Sequence, residues 1–114
     1  MKAEDSFVAG TVYYFGPMEE LAQIFTLEGF AVRMGNWALR IDKIARRFEL
    51  GYVGNLTPDA PFNVDGEGYE FSVDVLAANC ARLAECLRRN AIGFDFTHFA
   101  GDQVCELGTY EFRP

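Results

Sequence analysis

Apolar positions recur along this chain with two periods, one helical and one strand-like. Between Asp74 and Asn90, Leu76, Cys80, Leu83 and Leu87 repeat at the spacing of one helical face, and Ala84 widens the stripe. Asp74 is placed to cap the start of this helix through its carboxylate. Arg88 and Arg89 sit where the helix dipole favours cations, and Asn90 suits a left-handed closing turn. A second helix is bracketed by Pro17 and Gly29. It carries Glu19 and Glu20 in its first turn and Leu21, Ile24 and Phe25 as its buried stripe.

Strand-like runs fill most of the remainder. Phe7–Phe15 is rich in β-branched and aromatic residues, with Gly10 as a weak point or bulge. Phe30–Met34 and Trp37–Ile41 alternate around Gly35-Asn36, the composition of a two-residue hairpin turn. That turn pairs Met34 with Trp37, Val32 with Leu39 and Phe30 with Ile41 on the core side. It leaves Arg33 and Arg40 on the other face with Ala31 and Ala38. Ile44–Val53 continues as a strand, and Tyr69, Phe71 and Val73 form another before the long helix. Ile92, Phe94 and Phe96 follow it, and Val104–Phe112 returns as the last strand, with Gly108 at a bulge. Gly54–Gly68 holds Pro58, Pro61, Gly66 and Gly68 and reads as a long connecting loop.

This order is one βαββ unit given twice, so the pattern predicts a single α+β domain. Its pseudo-repeat halves are 6–53 and 69–112, joined by loop 54–68. The sheet or sheets are mostly antiparallel with two helices on one face, and a ferredoxin-like variant is the competing arrangement. At 114 residues, half of them hydrophobic and 15% aromatic, the chain has ample material for one packed core. No apolar run is long enough to cross a bilayer, and the first residues are acidic. The expectation is a soluble, cytoplasmic protein. Three cysteines cannot all pair, so reduced thiols are expected, with two acting as small core hydrophobes.

Charge narrows the function further. The formal net charge is -7, and it is uneven: residues 1–57 carry six basic and seven acidic side chains, residues 58–114 four and ten. Such a body repels phosphate backbones, which argues against nucleic-acid binding, and it favours encounter with a basic partner. The acidic candidates for that contact are Asp59, Asp65, Glu67 and Glu70 in the loop, with Asp95, Asp102 and Glu106 near the last hairpin.

Catalytic and metal chemistry find little support. His98 is the only histidine, on the face of Phe94 and Phe96, with Asp95, Asp102 and Glu106 nearby in sequence. Neither serine sits in a nucleophile turn. Three cysteines and one histidine lack the spacing of a zinc site, and the stretch around Gly66 lacks the key carboxylates of a calcium loop. Neither a phosphate cradle nor a dinucleotide fingerprint is present. No cofactor or metal is therefore expected.

The doubled pattern is similar in outline to the glyoxalase and bleomycin-resistance superfamily, whose units are βαβββ. A single histidine cannot supply that superfamily's metal ligands, so no residue roles are carried over. In size and charge, without a shared motif, the chain also resembles bacterial toxin-immunity proteins. The leading expectation is an acidic, non-enzymatic protein-binding module of inhibitor or immunity type. The alternative is a small-molecule binder or cofactor-free enzyme with a cleft between the units, anchored by Arg33, Arg40, Trp37 and His98. A homodimer is compatible with both.

Overall fold

The computed structural model describes residues 6–44, 47–52, 61–68, 72–101 and 105–114. In chain order the elements are β1 (Ser6–Tyr13), α1 (Met18–Leu27), β2 (Ala31–Met34), β3 (Ala38–Asp42), β4 (Arg47–Tyr52), β5 (Phe62–Glu67), α2 (Val73–Arg89), β6 (Gly93–Ala100) and β7 (Glu106–Phe112). The strands form one seven-stranded sheet in the order β2-β3-β4-β5-β1-β6-β7, antiparallel at every neighbour pair. The α+β class is as expected, but the sheet is wider than two βαββ units provide.

The extra strand is β5. It occupies Phe62–Glu67, inside the stretch read as a loop, and pairs with both β4 and β1. Phe62, Val64 and Gly66 are buried while Asn63, Asp65 and Glu67 are exposed, the period of a half-buried strand. Glycine at the third inward position hid that alternation. A Cβ on Gly66 would come within 2.7 Å of the Phe48 ring and 3.4 Å of Val8, so the Phe48 ring fills the place of a side chain. Gly10 has the same origin and is no bulge. Its ideal Cβ would lie 2.2 Å from the Asp95 carbonyl oxygen, because β1 and β6 approach closely there.

The β2–β3 hairpin differs from expectation by two residues of register. Met34 pairs with Leu39, Arg33 with Arg40, and Val32 with Ile41. The Gly35 amide donates to the Ala38 carbonyl at 2.9 Å, which makes Asn36-Trp37 the turn. Glycine and asparagine would have made the expected primed turn with positive φ, and neither takes it. A shift of two preserves which face each residue occupies. Leu39 and Ile41 are therefore buried as expected, while Trp37 is carried to the tip and is 64% exposed.

All core side chains of the sheet belong to one register face: Val8 and Val12, Leu39 and Ile41, Phe48 and Leu50, Phe62 and Val64, Phe94 and Phe96. The helices lie against this face. α1 contributes Met18, Leu21 and Phe25, and α2 contributes Leu76, Cys80, Leu83, Ala84, Cys86 and Leu87. Each fully buried Leu or Phe adds roughly 1.5–3 kcal/mol. Asn79 ties α2 to the sheet by donating to the Ile44 carbonyl at 2.8 Å, and the Tyr110 hydroxyl donates to the Ala77 carbonyl at 3.2 Å.

The ends of α2 correct two further expectations. Ser72 is the N-cap, its Oγ accepting from the Val75 amide at 3.1 Å, and Asp74 lies inside the first turn. Val73 is thus helical, and Tyr69 and Phe71 lie outside the described residues. At the other end Asn90 keeps negative φ and bonds back to the Cys86 carbonyl, while Ala91 takes the left-handed conformation at φ 56°.

Candidate functional site

With both helices on one face, no described helix covers the other face of the sheet, and alternation decides what this open face presents. On β2 to β5 it presents Arg33, Arg40, Asp42, Arg47, Glu49, Asp65 and Glu67. These side chains neutralise one another. Arg33 pairs with Asp42 at 2.8 Å and Arg40 with Glu49 at 2.6 Å. Arg47 reaches Glu67 at 2.9 Å, Asp65 at 3.0 Å and Glu49 at 3.7 Å. Burial alone would lower the Arg47 pKa, but the three carboxylates outweigh it and raise it.

The face of β1, β6 and β7 is built differently. Phe7 and Phe99 are register partners on it, stacked with ring centroids 5.2 Å apart. Both are half-buried although neither belongs to the core. Pairing places Glu67 beside Phe7 and Glu106 beside Phe99, so the same rung runs acid, ring, ring, acid. Two rungs further along the strands, Asn63, Thr11, Asp95 and Glu111 lie in a row, with Asp95 and Glu111 directly opposite. Like charges so placed repel. Among the described residues neither Asp95, Glu106 nor Glu111 has a basic side chain within ion-pair distance.

The residues expected to bind are therefore divided. Asp65 and Glu67 are on β5 rather than in a loop, and both hold Arg47. Asp95 and Glu106 share the open face with them across β1. Asp59, Glu70 and Asp102 lie outside the described residues. Phe7, Phe99 and Glu111 complete the patch and were missed. The one signal was an apolar residue at an outward position of each strand, next to inward Val8 and His98.

The alternative set does not converge. Arg33, Arg40 and Trp37 line a depression of about 360 Å³ at the hairpin tip. His98 is on β6 and points to the opposite face, fully buried. It lies between Val8 and Gly108 in the sheet, and neither ring nitrogen has a hydrogen-bond partner among the described residues. Burial lowers its pKa. Phe94 and Phe96, which share its face, are core residues.

Thiol chemistry is suppressed at the two buried cysteines. Burial pushes the Cys80 thiol up to about 12. Burial, with Glu28 adding to it, pushes Cys86 up to about 11. Both stay protonated near neutral pH and act as core hydrophobes. The Tyr14 hydroxyl, held by Glu20, is raised to about 12. No cluster among the described residues could hold a metal ion, and no helix there is long and apolar enough to cross a membrane.

No protein family, curated protein or solved structure matches this chain.

Proposed function

We propose that this chain is a non-enzymatic protein-binding module of inhibitor or immunity type, and that the open face of β1, β6 and β7 takes a basic surface of its partner. The observation that carries the reading is the acid-rimmed aromatic pair. Phe7 and Phe99 stack at the centre, with Glu67 and Glu106 on either side and the opposed Asp95 and Glu111 beyond. An apolar centre with a charged rim is the anatomy of a protein interface. Glu106, Asp95 and Glu111, with no basic side chain within ion-pair distance among the described residues, steer a basic partner and raise its association rate. The same charges oppose self-association through this face.

The test is affinity capture from native lysate with the tagged chain and with an Asp95→Lys, Glu111→Lys bait, at low and at moderate salt. A stoichiometric basic partner should be held by the first bait. It should be lost from the second, with an on-rate falling tenfold or more as salt rises. Equal retention by both baits, or no stoichiometric partner on either, would overturn the reading.

A second reading, a small-molecule site, is favoured by the gathering of Arg33, Arg40 and Trp37 around one depression. Both guanidinium groups already hold carboxylates. An incoming anion must displace Asp42 or Glu49, so this reading ranks second.

A further inference from the structure

At the end of the sheet where β1 and β7 finish and β6 begins, Tyr13, Phe15, Gly93, Phe112 and Arg113 line a cavity of about 450 Å³, within the size range of small-ligand sites. Its walls are aromatic. Tyr13 is 38% and Phe15 53% exposed, so neither ring is used up by the core. Phe112 is fixed from behind: its ring lies 6.1 Å from that of Phe94, and the Arg88 guanidinium, paired to Glu85 at 3.0 Å, sits 5.8 Å from its centroid. The polar contribution comes from Arg113. Among the described residues no carboxylate lies within ion-pair distance of it. This is the reverse of the hairpin tip, where both arginines are already neutralised.

We infer that this end of the sheet is a binding site for a small aromatic anion, a planar ring held between Tyr13, Phe15 and Phe112 with its carboxylate on the Arg113 guanidinium. Ring faces stack on aromatic walls, and a guanidinium matches a carboxylate in a bidentate fork. The site adjoins the acid-rimmed face, with Tyr13 and Arg113 two residues beyond Thr11 and Glu111 along the chain, but it does not depend on the protein-binding reading.

The experiment is a nuclear magnetic resonance titration of the isotope-labelled full chain with 2-naphthoate, and with the neutral 2-naphthamide as its control. Saturable shifts are expected at the Tyr13, Phe15, Gly93 and Phe112 amides, with a Kd of about 1 mM or tighter. Arg113→Gln should weaken 2-naphthoate about tenfold, the effect of losing one charge-assisted contact, and leave 2-naphthamide unchanged. Phe15→Ala, at an exposed position, should weaken both. Non-saturable or scattered shifts would overturn the inference. So would equal affinity for the amide, or a Gln variant that binds 2-naphthoate as the parent does. Neither variant touches Asp95 or Glu111, so this titration and the capture experiment fail independently.

Discussion

The open face of the sheet is two surfaces made under two rules. From β2 to β5, four carboxylates and three arginines form a closed lattice in which every charge has a partner. From β1 to β7 no described carboxylate has a basic side chain within ion-pair distance. Glu106 accepts from the Thr109 hydroxyl, and two carboxylates oppose each other directly. The first arrangement stabilises the sheet without help. The second costs stability in the isolated chain, as the proposed use of this face for binding would require. The buried side follows the same division. Beneath the first surface the core is apolar, whereas beneath the second lies His98 with both ring nitrogens unpartnered among the described residues.

Breaking the lattice should have the largest effect. Arg47→Met keeps the packing of the side-chain stem but leaves Asp65 and Glu67 without a cation and Glu49 with Arg40 alone. Arg47 is 34% exposed, so solvent screens the pairs. A loss of about 1–2 kcal/mol is expected in urea unfolding at low salt, shrinking in 1 M salt. A loss that ignores salt would mean that packing, not charge, holds this half together.

His98 gives the next effect and its own pH window. Burial lowers its pKa in the folded chain below the ordinary value, so the unfolded chain binds the proton first. Its neutral form is native, and its contribution is fully present above the ordinary histidine range. That stability is lost as pH falls through about 6.5, the unfolded value, toward the lowered one. Leucine in its place removes two buried nitrogens that lack partners among the described residues. His98→Leu should be neutral or stabilise by about 1 kcal/mol at pH 7.5. It should also flatten the fall in Tm between pH 7.5 and 5.5. An unchanged slope would assign that acid sensitivity to other groups.

How far the sequence carried this picture depends on which interactions are local. The stripe of α2 was legible because helical period is a property of neighbours in the chain, and Leu76, Cys80, Leu83 and Leu87 are all fully buried. The facing of the β2–β3 hairpin was legible because parity survives a shift of two, and its tip was not, because turn choice rests on φ at two residues. β5 was illegible for a tertiary reason: Gly66 occupies an inward position only because Phe48 fills the space. Asp65, Glu67, Asp95 and Glu106 could be named from the acidic bias of the second half. Phe7, Phe99 and Glu111 could not, since strand order alone decides that Phe7 meets Phe99 and Asp95 meets Glu111.

The smallest effect separates the two surfaces most sharply, because its sign is opposite. Glu111→Lys replaces a repulsive rung with an attractive one, Asp95 facing an ammonium instead of a carboxylate. Cross-strand pairs of this kind are worth about 0.2–1 kcal/mol, so the variant should be more stable than the parent by that amount at low salt, and by less at high salt. The same change made in the lattice, Glu49→Lys, would set a third cation beside Arg40 and Arg47 and should destabilise. A stabilised Glu111→Lys chain that has also lost its captured partner would show that the repulsion was retained for binding. A destabilised one would mean that Glu111 has a compensating partner, and the contrast between the two surfaces would fall.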